Sequence, residues 1–408
     1  MIENNNLAMW TNADANRIRN YLCGTHNVLG RQDFEFNNKT FHTAKILLNS
    51  LKQIVTFHSS YVCGNPVSLS GDMETTKLLQ SVYKGGHYDK VDYDIVTNLV
   101  KYGNAYEFIY KEKGKIKSRL IPNTDAFPIY ENGNYIKFIE RFCYNPVTDD
   151  CLEREYTRDY VKEYRNGQLV KTYRNASHTL PIHYGTLDKD KTGVFSLGLV
   201  SQLIPIMDEI EQLLSKMSDS VTTLSMNPMG VVSGQRIDDS VHADMVGTTL
   251  NLDDGGTFNW ATANLDYNSI KLLLDSLINQ FYQIACVPSA LYGQGNVANI
   301  SETSLELLFN NSDSYAKQLS FGMSEGFEKR LEAISYMLGV DVTSVDINFN
   351  YNRPVDNKSM LEAMKTQYDM GAISIETVMK NSPYTQNIDR ELELIENRNK
   401  GDLSDNVE

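Results

Sequence analysis

Basic charge is scarce in this sequence: 38 Lys and Arg stand against 52 Asp and Glu, a net charge of −14 over 408 residues. That balance excludes a protein that wraps nucleic acid through a broad basic face, because such binding draws its affinity from clustered Lys and Arg on phosphates. Contact with DNA is expected to be local, sparse or weak. Cysteine is scarce too. Cys23, Cys63, Cys143, Cys151 and Cys286 are scattered, without a C-x-x-C pair or a His at metal-ligand spacing. No metal site is expected, and the thiols read as a reduced set. Met-Ile-Glu-Asn-Asn-Asn at the start lacks the basic patch and apolar run of a signal peptide, and no window approaches about 18 uninterrupted apolar residues. These features point to an aqueous, intracellular setting with no membrane contact.

Catalytic signatures are missing as well. Neither His183 nor His242 has a recognisable Ser, Cys or carboxylate partner, so both read as structural and no catalytic residue is assigned. Gly293-Gln294-Gly295-Asn296-Val297-Ala298 has the letters of a dinucleotide-binding turn. That turn needs a preceding strand within a βαβ unit, whereas a helical pattern precedes it here, so no cofactor is implied. A flexible, uncharged glycine loop between helices, Gly293–Asn299, is the better account. Lys111, Lys113, Lys115, Lys117 and Arg119 alternate along a predicted hairpin and read as a solvated tip. Asp208, Glu209 and Glu211 read as a charged helix face turned to water or to a lumen.

What is present is a sizeable apolar content, 41% with 10% aromatic, enough for two or three folding units. Helical spacing is expected for a short piece at 13–23, then for Thr43–Val62, where Gly64-Asn65-Pro66 stops the run, and for 90–104. The period then changes. Ala105–Tyr110, Ile116–Ile121, Ala126–Tyr130, Tyr135–Tyr144, Arg154–Tyr164 and Gln168–Tyr173 read as strands of an antiparallel meander. From Ser196 to Met226, Leu203, Ile210, Met217 and Leu224 recur every seven residues, a coiled-coil-like seam that Pro205 either kinks or delays by a turn. Residues 227–267 form a small insert, with strands expected at Gly230–Ser233 and Thr248–Leu252 around a helix at Asp238–Met245. A second amphipathic helix, Ser269–Cys286, carries Ile270, Leu273, Leu274, Leu277, Ile278, Phe281 and Ile284 on one stripe. A very long helix follows to about Leu338, its start marked by a capping box at Thr303–Glu306. A strand at Val345–Tyr351, helices at Lys358–Asp369 and Ser374–Asn381, and a charged helix after Ile388 complete the chain. The fold class is α+β, mostly helical. The two amphipathic stripes fit an intramolecular helical hairpin, an intersubunit bundle, or both.

From about residue 40 to 398 this order of elements resembles the tailed-bacteriophage portal protein family in its siphophage-type branch. Tyr61-Val62-Cys63-Gly64-Asn65-Pro66-Val67 is similar to the family's early "Y-x-x-G-x-P" segment, and Tyr102-Gly103-Asn104-Ala105-Tyr106 to its entry into the wing sheet. Leu180-Pro181-Ile182, Gly193-Val194-Phe195-Ser196 and the Ile204–Asp208 stretch resemble the approach to the first stem helix. Val287-Pro288, the glycine loop and Ile300–Leu305 are similar to the tunnel loop and the start of the long helix, with Ser301-Glu302-Thr303 where many relatives carry Ser-Gly. Gly371-Ala372-Ile373-Ser374 with Thr377, Pro383, Asp389 and Glu393 resembles the closing helices.

The resemblance implies a portal fold: an N-terminal arm at 1–40, an α/β wing at 41–195, a first stem helix at 196–226, a small α/β clip at 227–267 and a second stem helix at 268–287. A tunnel loop at 288–300, a long wing helix at 301–340, and a wing strand with short crown helices at 341–408 follow. It also implies a homo-oligomeric ring, usually a dodecamer, at the capsid vertex of a virion assembled in a bacterial host cytoplasm. Double-stranded DNA would pass through it, with terminase, major capsid protein and head–tail adaptor as partners. Gly293, Gln294, Gly295, Asn296, Val297, Ala298 and Asn299 would face DNA; Val231, Val232, Arg236, Asp238, Leu250, Leu252 and Trp260 would form the adaptor-binding tip. Alternatives are another oligomeric capsid or connector protein, or a nucleic-acid-processing enzyme.

Overall fold

A computed structural model describes residues 13–36, 39–131, 133–145, 150–190, 193, 195–222, 229–234, 252, 254–261, 266–288, 302–353, 357–382, 390–392 and 394–395. The chain divides into two compact units, Met1–Asn296 with Asn311–Asn352, and Val297–Asn310 with Arg353–Glu408.

In the first unit, α1 (residues 13–22) buries Ala15, Ile18 and Tyr21 at three-residue spacing. A 3-10 turn, Asn27–Gly30, and a hairpin of β1 (Phe34–Phe36) with β2 (Lys39–Phe41) follow. The helix expected from Thr43 begins only at Ser50, as α2 (Ser50–Cys63). Residues 42–49 have no regular structure; every second amide, of Ala44, Ile46 and Leu48, is bonded instead to a side chain of a later helix, which holds the segment against that helix. After β3 (Ser68–Ser70) comes α3 (Met73–Gly86), an element the sequence reading does not anticipate. Asp72 caps it, accepting from the amides of Glu74 and Thr75 at 3.1 Å each. Next, α4 (Tyr88–Tyr102) buries Tyr88, Asp92, Ile95, Val96, Leu99 and Val100 and packs on α2 and on the strands that follow it. It stops at Gly103, whose φ of 78° and closeness to Ser196 and Leu197 admit no side chain: a Cβ would lie 2.4 Å from the Leu197 carbonyl carbon.

The expected single meander is two sheets. Strands β4 (Asn104–Glu112) and β5 (Lys115–Ile121) form a hairpin, and β11 (Ile182–Gly185) returns to pair with β4, giving the order β11-β4-β5. The other sheet runs β10-β9-β8-β7-β6, from β6 (Ala126–Glu131), β7 (Asn134–Asn145), β8 (Asp150–Tyr156), β9 (Tyr160–Arg165) and β10 (Gln168–Arg174). The run expected as one strand from Arg154 to Tyr164 is split at 157–159, where the Thr157 amide and hydroxyl both donate to the Tyr160 carbonyl. Tyr106, Phe108, Ile121, Ala126, Phe138, Tyr156 and Val161 form the buried seam joining the sheets. The expectation of five reduced thiols fails at Cys151, which is disulfide-bonded. The β7–β8 register sets Cys143 opposite it, the spacing at which cross-strand cysteines can join. Cys23, Cys63 and Cys286 are free.

Residues 199–220 form α5 (Leu199–Ser220), which Pro205 neither delays nor ends. The insert's hairpin of β12 (Met229–Ser233) and β13 (Thr257–Ala261) follows, then α6 (Tyr267–Ile284). The long α7 (Glu302–Leu338) opens one residue before the expected capping box, so Thr303 lies inside the helix. Ala316, Leu319, Met323, Phe327, Arg330, Leu331 and Ile334 are its buried stripe. Gly326 lets this helix touch β11: a Cβ there would meet the Tyr184 ring at 2.1 Å. The last strand, β14 (Asp346–Asn348), is shorter than the expected 345–351 and pairs with β3.

Arg330 of α7 is fully buried, and three elements supply its partners. Its Nη1 donates to Asp92 Oδ1 at 2.6 Å and its Nε to Glu107 Oε2 at 3.0 Å, while Tyr88 and Phe327 stack on the guanidinium. Tyr184 also donates to Glu107. Burial opposes the charge on Arg330, but the carboxylates of Asp92 and Glu107 outweigh it and push its pKa up.

In the second unit, residues 302–310 of α7 bury Phe309, α8 (Asn357–Asp369) packs on α9 (Ile375–Asn381), and Ser374 caps α9 by accepting from the Thr377 amide at 3.2 Å. Residues 390–392 and 394–395 are helical.

Candidate channel and docking elements

The insert between α5 and α6 is the architectural feature that the rest of the first unit positions. Leu199, Val200, Leu203, Ile204, Met207 and Ile210 are buried in the first three turns of α5, and beyond Ser215 none of its residues is buried. On α6, Phe281 alone is buried. Leu272 is 72% and Leu273 49% exposed, and Tyr267 and Ile284 are exposed as well. Of the stripe read from the sequence, Phe281 is buried, Ile270, Leu274, Leu277 and Ile278 are half-buried, and Leu273 and Ile284 are exposed; Leu272 lies beside that stripe.

Of the expected charged face Asp208, Glu209 and Glu211, Glu209 is exposed and Asp208 half-buried, but Glu211 is fully buried, contrary to expectation. Asp208 and Glu211 belong to a polar ladder on α5, with Ser215 and Asp219, spaced three or four residues apart and occupied by the N-terminal segment. Tyr21 Oη donates to Asp208 at 3.0 Å, and Asn27 donates to its other oxygen at 2.6 Å. Glu211 is fully buried, 2.8 Å from His26 Nδ1, and accepts from the Leu48 amide at 2.7 Å. Ser215 accepts from Ile46 N at 3.0 Å; Asp219 accepts from Ala44 N at 2.6 Å and from Arg31 at 2.7 Å. Residues 21–31 and 44–48 thus form a strap along α5. Burial and the Glu211 charge push the Tyr21 phenol far up, so it stays a donor. The sequence signal was present only in part: the ladder's spacing on α5 is legible, its partners some 160 to 190 positions away are not.

Of the seven candidate tip residues, Val231 and Val232 lie in β12, paired with Asn259 and Phe258, and Trp260 lies in β13 opposite Gly230. Leu252 is outside any strand and half-buried. Arg236, Asp238 and Leu250 lie outside the described residues, as do the helix expected at 238–245, His242 and the whole loop Gly293–Asn299. The strand expected at 248–252 lies, apart from Leu252, outside the described residues; the strand paired with β12 is β13 at 257–261, where Thr257-Phe258-Asn259-Trp260 alternates.

The expected basic tip holds only in part. Lys113 and Gly114, both at positive φ, make the β4–β5 turn, and Lys117 pairs with Glu112 at 2.7 Å in solvent. Arg119 turns inward instead, donating to both oxygens of buried Glu140 at 2.7 and 2.6 Å and to Tyr156 Oη at 2.6 Å. His183 is structural: Nε2 sits 2.9 Å from Asn104 Oδ1, the ring stacks on Tyr106, and burial lowers its pKa to about 3. Among the described residues there is no group of metal-ligating side chains, and no helix is long and apolar enough to cross a membrane.

Similarity to known proteins matches this layout. The neck of an empty GTA particle, computed with C6 symmetry, aligns with TM-score 0.50 and 10% identity over 84% of this chain and 89% of that one. The neck of a native GTA particle with C12 symmetry aligns with TM-score 0.50 and 10% identity over 81% and 89%. At such identity these likenesses speak for the fold. No curated protein matches the sequence. The model of the phage portal protein family, SPP1 Gp6-like, matches residues 12–404, nearly the whole chain, and the chain belongs to that family.

Proposed function

We propose that this chain forms a ring of twelve copies at the capsid vertex, through which double-stranded DNA is packaged, retained and ejected. Its class is that of a portal or connector in a phage-type particle, and the family is structural, not enzymatic. The observation that supports the ring is the exposed apolar surface of α6: Leu272 and Leu273 stand in solvent on a helix of which Phe281 is the one residue fully buried. Repetition about an axis covers such a surface on every copy. A net charge of −14 per copy suits a wall that DNA slides past, since tight phosphate binding would stall it.

Within that ring the uncharged loop Gly293–Asn299 is our candidate for the narrowest constriction, making transient polar contacts through Gln294 and Asn296. The β12–β13 hairpin at the tip of the α5–α6 rod is our candidate for docking terminase during filling and the head–tail adaptor afterwards. The wing is our candidate for contact with the major capsid protein, and assembly in the host cytoplasm follows from that use.

Electron microscopy of the purified protein tests the reading. Closed rings with a central channel are expected, while filaments or shells would end it. Replacing Gly230–Leu265 with a short Gly-Ser linker is expected to spare rings and abolish adaptor binding; loss of the rings themselves would contradict the tip assignment.

A further inference from the structure

The C-terminal end of α6 is held by side chains from two other helices. His58 of α2 places Nε2 2.7 Å from the Ala285 carbonyl oxygen, and Ser312 of α7 donates its hydroxyl to the Cys286 carbonyl at 2.7 Å. The first is the C-cap carbonyl of α6, a group with no partner inside the helix, and the second belongs to the residue just past it. Ala285 is fully buried and Val287 5% exposed. Between them Cys286 holds a left-handed φ of 54°, a conformation that a non-glycine residue keeps only when its surroundings impose it. Two consecutive carbonyls are thus held from outside their own helix, immediately before the residues expected to form the tunnel loop.

The chemistry of His58 shows what it is for. Burial lowers its pKa to about 4, so the ring is neutral. A neutral ring facing a carbonyl with Nε2 carries its proton there, which leaves Nδ1 as an acceptor. Nδ1 is buried and has no partner among the described residues. Tyr315 and Phe57 meet the ring edge-on at 4.7 and 5.1 Å, a setting in which a phenyl ring would pack without an orphaned acceptor. The imidazole is explained by its one bond to Ala285.

We infer that His58 and Ser312 are positioning residues that latch the exit of the second stem helix, fixing where the following loop leaves the body of the subunit. The latch itself rests on geometry; its value to DNA passage rests on the channel reading of the loop. In a ring whose constriction is made of repeated loops, an unlatched root lets each loop start from a different place.

Hydrogen exchange on assembled rings, paired with a packaging assay, tests both levels. In His58→Phe the amides of Ala285, Cys286 and Val287, bonded to Phe281, Gln283 and Tyr282, are expected to exchange about tenfold faster, with other α2 amides unchanged. His58→Gln, which keeps a donor near the Nε2 position, is expected to restore protection. Ser312→Ala should loosen the same amides by itself, and it serves if the phenylalanine variant misfolds. Uniform loss of protection, or no rescue by Gln, would overturn the latch. Loosened amides with unchanged packaging would leave the latch standing and overturn the loop's role in the channel.

Discussion

At the scale of single residues, the heaviest commitment is the buried charge of Arg330. Removing one partner from a buried ionic cluster leaves the others desolvated and unpaired, which costs roughly 3–5 kcal/mol, whereas an exposed ion pair contributes little. Arg330→Met strands Asp92 and Glu107, both buried. Urea denaturation should show a loss of that size, while Lys329→Met, which breaks only the exposed pair with Glu325, should shift stability by under about 1 kcal/mol. His183 makes a prediction in pH. Its folded pKa is about 3 against an ordinary 6.5, so the unfolded chain binds the extra proton as pH falls. The stability tied to the neutral ring is complete above 6.5 and is lost as pH drops towards 3. Between about pH 7 and pH 5 this group takes away about 2 kcal/mol. His183→Gln cannot titrate, and denaturation at the two pH values should show the pH-dependent loss reduced by that amount.

At the scale of elements, the strap and the α7–β11 contact carry the sharpest expectations. Glu211→Ala removes the acceptor for Leu48 N and the partner of His26 together, and two orphaned buried groups cost roughly 2–4 kcal/mol. Limited proteolysis should then cut between Arg31 and Leu48 faster than in the wild-type protein. Gly326→Ala sets two effects against each other. Alanine favours the helix by about 1 kcal/mol, but its Cβ would sit 2.1 Å from the Tyr184 ring, an overlap costing about 1–3 kcal/mol or more. The overlap wins, and the urea midpoint should fall. Elements of this kind divide what was legible in the sequence from what was not. The stripes of α5, α6 and α7 and most strands could be read because their burial follows a local period. The N-terminal cap and spacing of α3, Asp72 with Leu79, Tyr83 and Gly86, were readable but unread. The extended run at 42–49 could not be read, since its apolar spacing is helical and only side chains of α5 some 160 to 175 positions away overrule it. Contacts of this kind between residues far apart in sequence also hid the strap and the His58–Ala285 bond, 227 positions apart. The candidate tip was legible as an insert, but β13 at Thr257–Ala261 was not anticipated.

At the scale of the whole molecule, apolar surface and net charge act against each other in the proposed ring. Each exposed leucine buried between copies contributes about 1.5–3 kcal/mol, and Leu272 with Leu273 recur at every interface. Each copy also brings a charge of −14, so neighbours repel over a distance set by the Debye length, about 10 Å at 0.1 M salt. Apolar contact is insensitive to moderate salt while the repulsion is screened by it. Ring formation should therefore strengthen as ionic strength rises from about 0.05 to 0.5 M, the reverse of an assembly held by ion pairs. The paired substitution Leu272→Asp with Leu273→Asp removes the attraction and adds repulsion, so light scattering should report single subunits at every salt concentration. Because both leucines are exposed in the single chain, its unfolding free energy should move by less than about 1 kcal/mol. Intact rings in the double variant would place the subunit interface elsewhere than on the second stem helix, and rings that dissolve as salt is raised would mean that charge pairing holds the copies together.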